Sequence, residues 1–303
     1  MQMKFKAHQS FFIRKGWLSK GMRAVKSNPE LLMPSHSKNA MDELGLGANQ
    51  VVALRYWLQA MDLVRPKGKS KREQELTELG ELIVENDPYT EEYGTLWALH
   101  CNLASAIEVA AAWYFFFNEF NMTTFNRDDF VRLLQKYVFA NNGKKDVALT
   151  SLDADFTCIL STYIPHDRTG SKASSPESVI DCPLGDLGLI ETDDKAGKTF
   201  RKLPPLPSKL PSLLVLYAIR AMCERSEELS GRAELRLETL LDAPSSPGRL
   251  FNLDSIALLS KLYELENDGY LRIVRTAGLD VVRLNDSLPH KEDCLARYYE
   301  IIG

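Results

Sequence analysis

Residues 42–80 read DELGLGANQVVALRYWLQAMDLVRPKGKSKREQELTELG, and the reading of the fold turns on this stretch. LGLG supplies a glycine-containing corner, which allows the positive φ that a tight helix-to-helix turn often needs. Asn49 is placed to cap the helix that follows. Beyond it Val51, Val52, Leu54, Leu58, Met61 and Leu63 recur at intervals of three and four, which predicts an amphipathic helix from about Gln50 to Asp62. Gln50, Arg55 and Gln59 fall on its other face. Pro66 and Gly68 stop the helix, Lys67, Lys69, Lys71 and Arg72 form a basic loop, and LTELGEL opens a second short amphipathic segment. Turn, helix, basic loop and return are the order of a winged helix-turn-helix, in which one helix enters the major groove of duplex DNA and a basic wing lies on the phosphates. A helix pair with an ordinary solvated loop has the same spacing, so charge has to decide between them.

The chain of 303 residues is 45% hydrophobic and 26% charged, an ordinary soluble composition with length for about two domains. Its net charge of -4 argues on its own against a nucleic-acid binder, but the charge is uneven. Residues 1–75 carry 14 Lys and Arg against 6 Asp and Glu, while the remainder carries 23 against 35. A basic head on an acidic body is what a protein needs when one face meets a polyanion. Cysteines 101, 158, 182, 223 and 294 are odd in number and lack a CxxC spacing, which predicts reduced thiols in a cytoplasmic protein. No apolar run approaches the ~18 residues of a spanning helix, and the N-terminus lacks a signal-peptide apolar region. A soluble intracellular protein without a membrane partner is expected.

Residues 1–27 interleave Lys4, Lys6, Arg14, Lys15, Lys20, Arg23 and Lys26 with Phe5, Phe11, Phe12 and Trp17. Such a mixture can stack on bases and neutralise phosphates together; equally, the aromatics can anchor the segment while the cations stay in water. His8 is the one residue here whose chemistry reaches beyond position, and it is the candidate catalytic residue. The ordinary role for a lone histidine is a satisfied hydrogen-bonding group.

From Asp87 onward the chain turns apolar. Leu96, Trp97, Leu99, Leu103, Ile107 and Ala111 keep helical spacing, and Trp113 to Phe117 are five consecutive aromatics, which one helix cannot all turn inward. His100 and Glu119 are candidates for buried hydrogen bonds. FNRDDFVRLLQKYVFA predicts a helix capped by Asn126, with Asp128 and Asp129 in the first turn where the helix dipole favours carboxylates. A helix from about Ser151 to Tyr163, a loop over residues 165–178 and short strands follow. In the last third, a helix precedes two alternating segments, Tyr270 to Arg275 and Asp280 to Leu284, again the winged-helix order. Arg272, Arg275 and Arg283 lie on or beside this second wing, although Glu264, Glu266 and Asp268 on the preceding helix would repel phosphate. The predicted fold is mainly α with small β wings (α+β): a basic segment and winged helix-turn-helix over residues 1–86, a mainly helical middle domain over 87–211, and a winged-helix-like domain over 212–303.

Strand cleavage needs a nucleophile and a group that stabilises charge on the phosphorane, commonly a metal held by carboxylates. The chain has no HNH, HxxxH or P-loop pattern. Asp153 and Asp155 read as flanking a helix. Asp181, Asp186 and the Asp193-Asp194-Lys195 string only loosely match the acid and DxK of a restriction-type nuclease.

The strings AHQSFFIRKGWLSKG, LGLGANQVVALRYW, LTELG, NDPYTEEYGTLWALH, WYFFFNEF, SPGRLFNLD and RTAGL, in this order and along nearly the whole chain, resemble a bacterial domain-of-unknown-function family that includes SspB, the DNA-nicking component of Ssp-type phosphorothioation systems. The family usually has Gly before the histidine and an acidic or polar residue after it, where this chain has Ala7 and Gln9. The resemblance implies a defence protein acting on double-stranded DNA beside a cysteine desulfurase, an ATPase and a PAPS-reductase-like subunit, with Mg²⁺ or Mn²⁺ as the metal that nicking would use. The expected DNA contacts are Lys6, Arg14, Lys15, Lys20, Asn49, Gln50, Arg55, Lys67, Lys69, Lys71, Arg72, Arg272 and Arg275. A non-enzymatic scaffold that recruits the modification enzymes and a winged-helix transcriptional regulator are the alternatives, and a homodimer is left open.

Overall fold

The computed structural model of the protein describes residues 3–68, 73–141, 143, 146–165, 182–194, 196–276 and 279–303. Helices dominate, and the described residues form three small antiparallel sheets among them, so the α+β expectation holds. Residues 166–178 of the expected loop, the second-wing tip at Ala277 and Gly278, and Asp181 and Lys195 lie outside the described residues.

In the first third, α1 (Trp17–Ser27), α2 (Ser37–Leu44) and α3 (Ala48–Ala60) precede a hairpin of β1 (Val64–Pro66) and β2 (Gln74–Leu76), followed by α4 (Glu78–Asn86). Gly45 takes the left-handed conformation (φ 65) that ends α2. The cap of α3 differs from the expected Asn49: Gly47 occupies that place, and its N–H donates to Oε1 of Gln50 at 2.9 Å. Asn49 is already inside the helix. Val51, Leu54, Leu58, Met61 and Leu63 are buried as their spacing predicts, but Val52 is 49% exposed. Ala53, Tyr56 and Trp57 are buried too, which leaves α3 a narrow open side.

Thr77 begins α4 by accepting the Gly80 N–H on Oγ1 (3.1 Å) while its hydroxyl donates to the Asp62 carbonyl (2.5 Å). Gly80 is required there because a Cβ would stand 2.3 Å from the Leu63 carbonyl oxygen. Gly80→Ala is expected to destabilise the protein by about 1–3 kcal/mol through overpacking against rigid backbone. Urea denaturation measures it, and an unchanged midpoint would refute the close approach of α4 and the hairpin.

The centre is α5 (Tyr93–Ser105), buried from Gly94 to Ser105. Next, α6 (Ala111–Tyr114) runs into a π-helical turn at Phe115–Glu119. The aromatic run turns inward more completely than a single surface helix allows: Trp113, Phe115, Phe116 and Phe117 are all buried. The widened turn has neighbours on several sides, and only Tyr114 of the five aromatics is left half-buried. Glu119, expected to bond in the interior, is exposed instead.

Beyond this centre, β3 (Thr124–Asn126), α7 (Arg127–Asn141), α8 (Leu149–Tyr163), β4 (Ile190–Thr192) and β5 (Thr199–Lys202) form a unit whose sheet order is β3-β5-β4. Asn126 caps α7 as predicted, its Oδ1 accepting the Asp129 N–H at 2.9 Å. The last third contains α9 (Ser212–Arg225), β6 (Glu234–Arg236), α10 (Leu237–Asp242), α11 (Pro247–Leu250), α12 (Ser255–Asn267), β7 (Leu271–Thr276), β8 (Leu279–Leu284) and α13 (Lys291–Ile302). Its sheet order, β6-β8-β7, repeats that of the middle unit. In both, a short strand enters, helices follow, and the final strand of a hairpin pairs back on the first. The first third has a reduced version of the plan: the Gln74 N–H donates to the Pro29 carbonyl at 2.8 Å, where the other units have a strand.

One continuous hydrophobic core runs through all three units. Inside it His100 is wholly buried, with Nδ1 2.7 Å from the Tyr163 hydroxyl and Nε2 2.7 Å from the Leu250 carbonyl. A carbonyl only accepts, so Nε2 carries the proton and Nδ1 receives the tyrosine hydroxyl. Burial lowers its pKa from 6.5 to about 4, which keeps the ring neutral. The last helix is fastened by the Tyr299 hydroxyl at 2.6 Å from Thr95 Oγ1 and by Lys291 Nζ at 3.0 Å from Asp62.

Candidate functional site

The N-terminal segment ahead of α1 crosses the molecule as a strap between the first unit and α8. The Lys4 N–H donates to the Glu108 carbonyl at 3.0 Å, and the Phe11 carbonyl accepts the indole N–H of Trp57 at 2.9 Å. Between these points Lys6, Gln9 and Ser10 have positive φ values of 54, 51 and 64. Such conformations are unfavourable for residues with a Cβ and persist where surrounding contacts fix them. The contacts are those of His8. Its Nε2 lies 2.7 Å from Asp155 Oδ1, its Nδ1 accepts the Ser10 N–H at 3.1 Å, and the ring stacks on Trp57 with Trp113 at its edge.

Asp155 Oδ1 also accepts the Lys6 N–H at 2.9 Å, whereas Oδ2 is buried with no partner among the described residues. Burial raises the Asp155 pKa, and the bonds from His8 and Lys6 oppose the rise. The Ser10 N–H leaves Nδ1 of His8 as an acceptor, so the imidazole proton sits on Nε2 and faces the carboxylate. Both ring nitrogens are therefore committed, and the ring is 0% exposed. This geometry joins strap to α8. Asp155 was readable only as a flanking residue, yet it lies on the buried stripe of α8 with Leu152, Phe156 and Ile159. A carboxylate in that register is the signal that it has a buried partner. Asp153, by contrast, turns outward and pairs with Arg127.

The expected DNA contacts divide between separate places. Lys6 is on the strap, Arg14 lies over the Trp17 ring at 5.6 Å, Lys15 pairs with Glu91 at 2.7 Å, and Lys20 is exposed on α1. On α3, Asn49 is exposed, and Gln50 and Arg55 are half-buried. Lys67 stands 3.7 Å from Glu73 across the hairpin, and neighbouring Arg65 pairs with Glu75 at 2.8 Å. Lys69, Lys71 and Arg72 lie outside the described residues. Thus part of the basic head is already matched by acids of the hairpin and of the 86–92 corner. Arg272 and Arg275 are on β7, in the last unit. Arg272 faces Arg283 across the sheet, and Glu234 on the third strand takes Arg283 at 2.5 Å. Arg275 rests on Tyr263.

Among the described residues no three His, Cys, Asp or Glu side chains gather as a metal-binding group. Asp194, read as part of a loose nuclease string, instead shapes the β4–β5 turn by accepting the Lys198 and Thr199 N–H groups at 2.8 and 3.2 Å. Those bonds lower its pKa. Asp193 pairs with Arg201. No helix among the described residues is long and apolar enough to cross a membrane.

Fold and site together define a three-unit helix-and-hairpin protein whose N-terminal strap is locked by a buried histidine–carboxylate pair. The chain belongs to the DUF4007 family, proteins of unknown function, whose model matches residues 5–299. It is similar to the crystal structure of SspB with magnesium ion bound, at a TM-score of 0.81 and 25% identity over 99% of this chain and 94% of that one. A second SspB crystal structure agrees in fold at a TM-score of 0.80 and 24% identity, covering 99% of this chain and 94% of that one. No curated protein matches the chain. Membership of the family that the sequence blocks resemble is thereby borne out.

Proposed function

We propose that this chain is a DNA-binding component of a bacterial DNA phosphorothioation system, working beside its ATPase and PAPS-reductase-like partners. The observation that carries the reading is the end-to-end likeness to SspB, which takes in all three units. The first unit is the DNA-facing one: α2, the Gly45 corner, α3 and the basic hairpin stand in winged-helix order. Its counterparts are poorly suited to phosphate. On α12, Lys261 turns inward to the Pro207 carbonyl at 3.0 Å, while Glu264 is exposed. The exposed and half-exposed positions of α8 carry Leu149, Ala154 and Leu160 beside hydroxyls and Asp153, with no cation among them. In this reading His8 positions the strap that brings Lys6 and Arg14 beside the first unit. Strand nicking, and any Mg²⁺ or Mn²⁺ it uses, draws on residues other than a buried His8.

Neutralising about six phosphates gives a log–log salt slope near -5 on duplex DNA. Replacing Lys69, Lys71 and Arg72 together by alanine should weaken binding to every sequence alike and flatten the slope by about 3. Fluorescence anisotropy over a salt series measures both, and an unaltered slope would take the hairpin off the DNA. A supercoiled-plasmid assay with Mg²⁺, Mn²⁺ or EDTA separates the readings beyond binding: open circles assign nicking to this chain, and retarded but intact plasmid assigns the scaffold role.

A further inference from the structure

A cavity of about 920 Å³ opens where α5, α6 and the end of α9 meet the β6–α10 corner, far in sequence from the basic head. It falls in the size range of small-molecule sites, about 300–1,000 Å³. One wall is apolar and carries an aromatic: Ile107, Tyr114, Met222 and Leu229. Ser105 lines it as well. Its residue is only 8% exposed, and its hydroxyl has no hydrogen-bond partner among the described residues, which is unusual for a buried polar group.

The charge at the rim is unbalanced. Arg225, Arg232 and Arg236 line the cavity with Glu228 and Glu234. Glu234 is held by Arg283 at 2.5 Å, and Glu228 is 3.5 Å from Arg232, so both carboxylates have their own cations. Arg225 donates to the neutral Asn102 side chain at 2.7 Å, and Arg236 is exposed on β6 with no carboxylate against it among the described residues. The C-terminal ends of α5 and α9 also meet here, each worth about -0.5 charge. Two guanidinium groups against two helix ends leave an excess of about +1. That matches one phosphate group better than a polyphosphate. Guanidinium forks suit phosphate oxygens, and the Tyr114 wall suits a planar ring.

We infer that this cavity is a binding site for a nucleoside bearing a single phosphate, either a free mononucleotide or one nucleotide unit of a single strand. The phosphate lies at Arg225 and Arg236, the ring against Tyr114 and Ile107, and the Ser105 hydroxyl bonds a polar edge of the base. The site is independent of the first unit's hairpin and does not require duplex binding there.

Isothermal titration of the full chain with dAMP, dCMP, dGMP, TMP, inorganic phosphate and a short single-stranded oligonucleotide tests it. At least one mononucleotide should saturate with a Kd at or below about 1 mM, tighter than phosphate alone. Arg236→Ala, at an exposed position without a partner, should weaken that binding at least tenfold, and Ser105→Ala should narrow the preference among bases. An oligonucleotide that binds tighter than any mononucleotide and is equally sensitive to Arg236→Ala identifies a strand as the source; the reverse order identifies the free nucleotide. No saturation by any nucleotide overturns the site, as does binding unchanged in Arg236→Ala. Binding lost only on removal of Lys69, Lys71 and Arg72 would also overturn it, since the nucleotide would then lie at the hairpin.

Discussion

His8→Ala should lower the unfolding free energy by about 3–5 kcal/mol. Two losses add. The imidazole is wholly buried between Trp57, Trp113 and Tyr56, so its removal leaves a cavity among large rings that have little freedom to close on it. It also deprives Asp155 of its side-chain donor when Oδ2 is already without a partner. A carboxylate left buried without its partner is the costly case. The strap residues at positive φ then lose the contact that holds them, and the Lys4-to-Ser10 backbone should become the first part of the protein to exchange its amide hydrogens. Urea denaturation and hydrogen exchange read these effects. If His8→Ala unfolded with wild-type stability yet abolished strand cleavage, the positioning role would be wrong and a catalytic one right.

Acid should weaken the protein through His100. With a folded pKa of about 4 against an ordinary 6.5, the unfolded chain binds a proton in this window that the folded chain refuses. The contribution is fully present above the unfolded value and is lost as pH falls through the window. The slope is about 1.4 kcal/mol per pH unit, or about 3 kcal/mol in all. Asp155 and Glu292 act in the opposite sense, because burial raises both carboxyls and the folded state then takes up protons more readily than the unfolded one. Comparing stability across pH 4–7 in wild type and His100→Gln removes these shared contributions. Glutamine keeps one donor and one acceptor but does not titrate, so the difference between the two curves should carry the His100 slope. Parallel curves would show that the ring is not neutral inside the protein.

The local signals in the sequence were strong where a single element decides its own shape. The Gly45 corner, the buried stripe of α3, the Asn126 cap and the β7–β8 hairpin follow from spacing, φ preference and side-chain hydrogen bonding. The middle unit was harder. Its sheet joins Thr124–Asn126 to Thr199–Lys202, strands of three and four residues separated by two helices, and nothing in so short an alternation announces the pairing. The cap of α3 falls two residues earlier than Asn49 because Gly47, which has no capping side chain, begins the helix with its own N–H held by the Gln50 side chain. Charge counting located the basic head, but it cannot see that Glu81 and Glu91, from beyond residue 75, return to it in space. His8 drew notice by residue type; its partner 147 positions away could be found only from the register of α8.

That separation also sets an order of events on the ribosome. At roughly 5–20 residues per second, the first ten residues are exposed for about 7–30 s before Asp155 has even been made. During that interval Trp57 can find Phe11 and Glu108 can find Lys4, but the His8 turn between them still lacks the carboxylate that locks it. The His8 turn is therefore open to proteases and chaperones until the middle unit emerges, and a tag inserted beside it would travel into a joint sealed late. A tag carried near the exposed Gly303 avoids that joint.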